Sequence, residues 1–325
     1  MTPARWAALS AALVVAMVVA TLVGTVAVPV GDAMAALAGR GSPLAAQIVR
    51  DLRLPRVLLA ALVGAGLGTA GSALQGALRN PLAEPYLLGV SGGAAVGGVL
   101  AFALGLTAIG VLPLAAFAGA LGAVTLVVGL ARVAGRRTDP RVLVMAGVVV
   151  GAGANAAVMV ALANVPPDRA RGALWWMMGS AADATWPQVG WLAAYLAPAM
   201  GWLWREARTL DVLALGDEPA AALGADVDAA GRRVFMAGSL IAAATVAAAG
   251  LVGFVGLVVP HLARAAGARG YRAQGPAAAL AGATLVVLAD LLARTAWAPT
   301  ELPLGAVTAL VGVPFFLSRL RQATA

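Results

Sequence analysis

Long apolar runs separated by short polar segments constrain this chain more than any other feature. Of its 325 residues, 62% are hydrophobic and 11% are charged, whereas a soluble domain has roughly 45–50% apolar and about 25% charged residues. A membrane-spanning helix needs about 20 consecutive apolar residues, so the length accommodates about ten spans. We therefore predict an all-α integral membrane protein with a single transmembrane domain over residues 1–325.

The positions of the apolar runs predict the spans. The ten runs cover residues 6–28, 54–78, 86–106, 111–133, 141–163, 188–204, 234–249, 251–266, 277–292 and 304–320. The first run could be a signal peptide, but it is longer than the usual apolar core of about 7–15 residues and further spans follow, which favours an uncleaved helix. Residues 234–266 could form one long helix or two short ones separated at Gly250. Small residues such as Gly64 and Gly68, four positions apart, suit close helix packing in lipid.

The distribution of arginines predicts which side of the membrane each segment occupies. All 22 basic residues are arginine, and cytoplasmic loops of membrane proteins carry an excess of positive charge. With ten spans and the N-terminus inside, 15 arginines, Arg136 and Arg137 among them, lie on the cytoplasmic side and seven lie outside. Both termini are then cytoplasmic. Because the arginines are scattered between spans, we predict no binding of nucleic acid.

Residues 210–233 form the longest polar segment and hold five of the fourteen acidic residues. The predicted orientation places them in the cytoplasm. Glu218 is predicted to cap a helix opened by Pro219, Gly224 to end that helix, and Asp226 to cap the next one. A helix of about six residues is unstable alone in water, where roughly 12–15 residues are needed. We therefore expect this segment to require a partner surface.

The chain offers little for catalysis or for holding a cofactor. It contains no cysteine and one histidine, so we predict no catalytic residue, no metal site and no cofactor. It also contains no lysine, which the phosphate-binding P-loop requires. If ATP drives this protein, the ATPase must be a separate chain.

Two compact motifs lie at predicted cytoplasmic ends of spans. The first is the turn RNPLAEP, which includes Asn80 and Pro81. Its two prolines restrict the residues before them to extended conformations, which favours a rigid connection between spans. The second contains Pro260 and the only histidine, His261, close to Arg264. This position favours a hydrogen-bonded structural role for the imidazole over ligation of haem iron.

Arg53, Arg56 and Arg294 fall on the predicted outer side. Solvated loop charge is the ordinary interpretation of such residues. The alternative is that they dock an acidic soluble partner, because a planar guanidinium group pairs well with carboxylates.

Four motifs, in order along the chain, resemble one family. They are LRLPR at residues 52–56, Gln75 followed by RNPLAEPYLLGVSGGA, then GLVGFVGLVVPHLAR, and ELPLG at residues 301–305. Together with the ten spans they resemble the permease of bacterial ABC importers for ferric siderophores, haem and cobalamin, the FecCD-type family. The resemblance extends from Arg53 to Arg321. It implies the helical bundle of a type II ABC importer permease.

The resemblance also implies partners. It predicts a homodimeric permease in the bacterial inner membrane, in contact with lipid, two cytoplasmic ATP-binding subunits and a periplasmic or lipid-anchored substrate-binding protein. The pathway of such a permease runs along the dimer axis, which makes Asn155 on the fifth predicted span a candidate liner.

Site residues follow by matching motif positions. The resemblance assigns coupling to the ATPase to Leu215, Gly216, Asp217, Glu218, Pro219, Ala221, Leu223 and Gly224. It matches Arg53, Arg56 and Arg294 to positions that meet glutamates of the binding protein. It matches Gln75, Asn80, Pro81, Pro260 and His261 to structural motifs.

The implied function is the import of an iron complex, either a ferric siderophore or haem, with cobalamin as the alternative cargo of the same machinery. A different class is an ion-coupled secondary transporter, which usually holds ionisable residues near mid-membrane. Asp290 is the main carboxylate in a predicted span and lies near an end of it, which disfavours that class. A membrane-embedded enzyme is disfavoured because acids, bases and metal ligands do not converge in the sequence.

Overall fold

The computed structural model describes residues 1–106, 108, 110–133 and 140–324, without the side chains of Leu87, Asp217, residues 140–141 and residues beyond 316. Arg136 and Arg137 therefore lie outside the described residues. The described part contains helices and no strand. The helices are α1 (Pro3–Leu22), α2 (Val30–Leu37), α3 (Pro43–Ala77), α4 (Val90–Ala103), α5 (Val111–Val133), α6 (Pro140–Ala163), α7 (Pro167–Met177), α8 (Trp186–Arg205), α9 (Ala207–Leu213), α10 (Asp217–Ala222), α11 (Val227–Ala249), α12 (Val255–Ala265), α13 (Tyr271–Thr295) and α14 (Leu304–Thr324).

Six of these helices are long and apolar enough to cross a membrane, namely α1, α3, α5, α6, α11 and α13. The helices α4 and α12, and the part of α14 over Leu304–Phe316, are apolar but shorter. The prediction of an all-α membrane protein is confirmed. The predicted number of ten spans is not confirmed by length and composition within the described residues.

The centre of the bundle is formed by α3, α11 and α13. In their most apolar parts, α3 and α11 bury 78% of their residues and α13 buries 56%. In the most apolar parts of the outward-facing helices, α1 buries only 17% of its residues and α6 only 22%. These helices expose apolar residues such as Val15 and Val149. Since the exposed side chains of these outer helices are apolar, they suit a lipid environment.

Glycines bring α3 and α13 into backbone contact. A β-carbon placed on Gly64 would lie 2.1 Å from the carbonyl oxygen of Gly282, and one on Gly68 would lie 2.4 Å from that of Ala278. These distances are shorter than any van der Waals contact, so only glycine fits at both positions. The predicted role of Gly64 and Gly68 in helix packing is confirmed.

The apolar run over residues 234–266 forms two helices. Gly250, with φ of +68°, ends α11, and Phe254, with φ of +65°, precedes α12. A β-carbon on Gly250 would lie 2.3 Å from the carbonyl oxygen of Trp176. A glycine is therefore required both by the backbone conformation and by this close approach.

Candidate coupling and docking sites

The predicted coupling segment, residues 210–233, contains the short helix α10 between α9 and α11. This helix begins at Asp217, after Gly216 with φ of +113°, a conformation that favours glycine. The prediction that Glu218 caps the helix is wrong, because Gly216 occupies the cap position and has no side chain to contribute. Pro219 lies within the first turn, where its missing N–H removes no helical hydrogen bond.

The end of α10 and the start of α11 agree with the prediction. Gly224 follows α10 with φ of +81°. The N–H of Ala225 donates to the carbonyl oxygen of Ala220 at 3.0 Å, which closes the last turn. Asp226 Oδ1 then accepts a hydrogen bond from the N–H of Ala229 at 2.9 Å and caps α11.

One side of α10 is buried and the other is exposed. Ala220 is fully buried in a small apolar cluster with Leu213 and Ala230. Leu215 precedes the helix and Leu223 follows it, and these two leucines are 62% and 66% exposed. The structure therefore orders α10 against the rest of the chain while leaving an apolar residue exposed at each of its ends.

Two polar contacts attach the coupling segment to neighbouring helices. Asp211 Oδ1 accepts a hydrogen bond from the N–H of Tyr271 at 2.8 Å, at the start of α13. Arg233 Nε donates to Glu206 Oε1 at 2.9 Å, which links the start of α11 to the junction of α8 and α9. The Asp211 contact satisfies one of the N–H groups that a helix start leaves without a helical partner.

The matched positions Gln75, Pro81 and His261 lie together where α3 meets α12. Gln75 Nε2 donates to the carbonyl oxygen of Leu257 at 3.2 Å, and its Oε1 accepts from Arg264 Nη2 at 3.1 Å. His261 Nε2 lies 3.3 Å from the carbonyl oxygen of Pro81. These hydrogen bonds fit the structural role predicted for the three residues.

The RNPLAEP turn also borders the coupling segment. A β-carbon on Gly216 would lie 3.6 Å from Arg79 Nη1. Within the turn, Asn80 Oδ1 accepts a hydrogen bond from the N–H of Leu82 at 2.9 Å. Pro260, which was matched to the same structural motifs, is buried within α12. The turn thus lies between α10 on one side and α12 on the other.

Glu84, near the end of the turn, is hydrogen-bonded to the segment that connects α11 and α12. Its Oε1 accepts a hydrogen bond from the N–H of Phe254 at 2.6 Å. Phe254 has a positive φ that non-glycine residues rarely adopt. Burial of the carboxyl group raises the pKa of Glu84 to about 7, and the hydrogen bond from Phe254 opposes this rise.

We expect Glu84 to make the stability of the protein depend on pH. Its pKa is raised in the folded state from an ordinary value of 4.5 to about 7, so the folded state binds more protons than the unfolded state between these values. The contribution of Glu84 to the free energy of unfolding is therefore full below pH 4.5 and is lost as the pH rises through 7, with a slope of at most about 1.4 kcal/mol per pH unit.

Glu84→Gln keeps an acceptor for Phe254 but cannot titrate. The melting temperature of the detergent-purified variant should fall less between pH 5 and pH 8 than that of the parent. Equal pH dependence in the two proteins would contradict this role.

The three outer-side arginines that were matched to docking positions are buried. Arg53, Arg56 and Arg294 expose 5%, 9% and 3% of their surface. The guanidinium group of Arg53 donates to the backbone carbonyls of Thr21, Leu22 and Val26, and that of Arg294 donates to the carbonyl of Ala20. The interpretation of these residues as solvated loop charge is therefore wrong. Buried arginines need internal acceptors, and the chain provides them.

Arg56 binds two carboxylates. Its Nη1 and Nη2 donate to the two carboxylate oxygens of Glu301 at 2.8 and 2.9 Å. Its Nε and Nη2 donate to Asp290 at 3.0 and 2.9 Å. Asp290 also lies 3.6 Å from Arg294 Nε, one helical turn further along α13. We refer to Arg53, Arg56, Asp290, Arg294 and Glu301 as the arginine cluster.

Sequence reasoning missed the partners of Arg56. The four-residue spacing of Asp290 and Arg294 indicates a pair on one helix face, but Arg56 lies 234 residues from Asp290 and 245 from Glu301. Asp290 does lie near an end of its span, as predicted, and it is paired with cations there. A paired carboxylate at a helix end does not fit the central ion site of a secondary transporter.

A cavity of about 440 Å³ opens beside the arginine-rich end of α3. Its wall includes Leu59, Phe102, Trp175 and Asp183. Asn155, predicted as a pathway liner, is exposed on α6 and is absent from the lining of this cavity. A pathway along a dimer axis would lie between two chains, so the role of Asn155 in lining it stays a prediction.

The described residues form a bundle of apolar helices, with the short helix α10 exposed between α9 and α11. The model of the FecCD transport family matches residues 12–322, and the chain belongs to this family. It is the permease of an ABC importer of that type, as its motifs predicted.

Curated relatives agree with this assignment. The ABC transporter permease protein YvrB of Bacillus subtilis is 39% identical, over 87% of this chain and 82% of the relative. The cobalamin import system permease protein BtuC of Halobacterium salinarum is 41% identical, over 89% and 78%. The vitamin B12 import system permease protein BtuC of Escherichia coli O157:H7 is 40% identical, over 87% and 86%.

Solved structures show the same architecture. A metal-chelate type ABC transporter in an inward-facing conformation matches with a TM-score of 0.87 and 29% identity, over 99% of this chain and all of that one. PsaBC from Streptococcus pneumoniae, solved in complex with a Fab, matches with a TM-score of 0.60 at 17% identity, over 81% and 89%, which shows a likeness of fold alone. The predicted bundle of a type II importer permease is confirmed by the first of these.

Proposed function

We propose that this chain forms the membrane pathway of an ATP-driven importer for a metal chelate in the bacterial inner membrane. Two copies would enclose the pathway, with both termini in the cytoplasm, and two separate ATP-binding subunits would supply the energy. The observation that carries this proposal is α10, which is held at Ala220 and leaves Leu215 and Leu223 exposed. A chain without lysine has no P-loop of its own, so an exposed helix that fits a partner is the expected means of coupling.

Coupling would use the matched residues of the segment, Leu215, Gly216, Asp217, Glu218, Pro219, Ala221, Leu223 and Gly224. Of these, Gly216 and Gly224 shape the backbone at the two ends of α10 through their positive φ angles. Leu215 and Leu223 offer the apolar area. A movement of α10 would reach the bundle through the contact of Asp211 with Tyr271 and through the neighbouring Arg79.

The opposite end of α3 and α13 would receive a substrate-binding protein. Arg53, Arg56 and Arg294 stay the proposed docking residues, but their burial changes how they would act. Arg56 already holds two carboxylates, so an acidic partner would have to replace one of them. A periplasmic or lipid-anchored binding protein with exposed glutamates fits such a surface.

Two cargoes are proposed. The motif resemblance implies an iron complex, either a ferric siderophore or haem. Cobalamin is the second candidate, and the similarity of 40–41% to permeases named for cobalamin or vitamin B12 import supports it. Either cargo is a large chelate, for which a pathway with few charged side chains is suitable, because the cargo must leave as readily as it enters.

The proposed function is tested in proteoliposomes that contain the permease, its ATP-binding subunits and its binding protein. Uptake of radiolabelled cobalamin and of a radiolabelled ferric siderophore is measured with ATP, without ATP, and with an imposed proton or sodium gradient. Uptake of one cargo that requires ATP supports the proposal and selects the cargo. Uptake driven by an ion gradient in the absence of ATP would instead support a secondary transporter.

A further inference from the structure

The two carboxylates bound by Arg56 differ in their surroundings. The Asp290 side chain is 2% exposed, whereas the Glu301 side chain is 35% exposed. Asp290 lies within α13, while Glu301 lies in the connection between α13 and α14. Asp290 is therefore a fixed partner of Arg56, and Glu301 is an accessible one.

The guanidinium group of Arg56 has almost no donor left for a third carboxylate. Asp290 takes Nε and one N–H of Nη2, and Glu301 takes one N–H of Nη1 and the other of Nη2. Only a single N–H of Nη1 stays uncommitted, because a guanidinium has five donors. A further acidic group can bind Arg56 with two hydrogen bonds only if one of the present carboxylates leaves.

Release of Glu301 would not require its loop to unfold. The neighbouring backbone is held independently: the N–H of Leu302 donates to the carbonyl oxygen of Ala293 at 2.8 Å, and that of Leu304 donates to Gly179 at 3.0 Å. Rotation of the Glu301 side chain is therefore enough to free the Nη1 and Nη2 edge of Arg56. That edge lies on the accessible side of the arginine cluster, since Asp290 occupies the buried side.

The charges of the arginine cluster also permit Glu301 to be exchanged for another carboxylate. The arginine cluster contains three cations and two carboxylates, and Arg294 Nε has no hydrogen-bond acceptor among the described residues. When a new carboxylate replaces Glu301, the number of ion pairs at Arg56 is unchanged. Such an exchange of like for like avoids leaving a buried charge unpaired, which is the main cost of breaking a buried pair.

We propose that Glu301 binds the Nη1 and Nη2 edge of Arg56 in the resting permease, and that a carboxylate of the substrate-binding protein displaces Glu301 from this edge when that protein docks. This inference rests on the proposed docking function of Arg56. Glu301 would act as an internal competitor that lowers the affinity of the resting permease for its partner. Once released, its negative charge would lie at the edge of the contact, near the connection to α14.

The test compares variants of the complete transporter in lipid nanodiscs. The probe is the substrate-binding protein of the same importer, purified without cargo, and its affinity is measured by biolayer interferometry. Glu301→Gln removes the competing charge and should tighten binding about five- to tenfold, because affinity rises with the fraction of Arg56 that is free. Asp51→Asn, at an exposed carboxylate two residues before Arg53, makes the same change in net charge and should alter affinity less than about twofold.

Two variants of Arg56 separate failure of the exchange from failure of docking. Arg56→Gln removes the cation, and Arg56→Lys keeps a charge if the first variant does not fold; both should weaken binding at least about tenfold. Unchanged affinity in Glu301→Gln, together with weaker binding in the Arg56 variants, would overturn the exchange and leave docking intact. Unchanged affinity in the Arg56 variants would overturn docking at this residue. Weaker binding in Glu301→Gln would also overturn the exchange, because it would show that Glu301 itself contacts the partner.

Discussion

Replacing Leu223 with glutamate is expected to abolish ATP-dependent uptake while leaving the permease folded. Leu223 is 66% exposed at the end of α10, so the change removes little packing within the chain. In the proposed complex the same side chain is buried against the ATP-binding subunit. Burying a leucine contributes about 1.5–3 kcal/mol, so its loss should weaken the association of the two subunits about 10- to 150-fold. Burial of the new carboxylate adds to the effect.

Association is measured by pull-down of the ATP-binding subunit and uptake in proteoliposomes. Leu223→Met is the matched control, because it keeps the apolar volume and should retain both activities. Leu215→Glu should behave like Leu223→Glu, since Leu215 is exposed to a similar degree at the other end of α10. Normal association and uptake in both glutamate variants would exclude α10 as the coupling helix.

Replacing Asp290 with asparagine is expected to cause the largest loss of stability of any single charge change in the described part of the chain. The side chain is 2% exposed and lies between Arg56 and Arg294. Breaking a buried ion pair by neutralising one partner costs about 3–5 kcal/mol, because the remaining charge stays buried without its counterion. Glu301 can compensate for Arg56 only in part, and it acts on Arg294 only as a charge, more weakly than Asp290 does.

Thermal denaturation of the detergent-purified protein measures this effect. Asp183→Asn is the control, because Asp183 is exposed and the change in net charge is the same. Its melting temperature should stay close to that of the parent. If the Asp290 variant melted as high as the Asp183 variant, the arginine cluster would not depend on its buried carboxylate.

Local sequence patterns predicted the coupling segment in some detail. Gly224 and Asp226 end and begin helices as expected, because a positive φ and a side-chain cap are properties of a few adjacent residues. The start of α10 was misplaced by a short distance, since Gly216 and Pro219 both favour helix starts and the sequence does not rank them. The sequence does not decide between one helix and two at Gly250 for a similar reason. The close approach of Trp176 that requires a glycine there comes from a distant segment.

The arginine cluster could not be predicted from local patterns. Arg53 and Arg56 flank a proline before an apolar run, which is also how a solvated loop ends. Their burial depends on acceptors supplied by α1, α13 and the connection that follows α13. Long-range pairing of this kind is decided by the packing of whole helices. The six long apolar helices, in contrast, follow directly from hydropathy and length.

The glycine contacts between α3 and α13 have a mechanical consequence. A shift of either helix by a single residue along the other would drive a β-carbon into a carbonyl oxygen at Gly64 or Gly282. The two helices therefore keep their register, and α13, whose 25 residues rise about 37 Å, behaves as a strut of constant length. At one end of this helix the N–H of Tyr271 donates to Asp211, and the other end carries Asp290 and Arg294. In the proposed coupling, a displacement imposed at the start of α13 would pass along this helix, and Pro276, which has no N–H for the helical hydrogen-bond ladder, is the position within α13 where bending costs least.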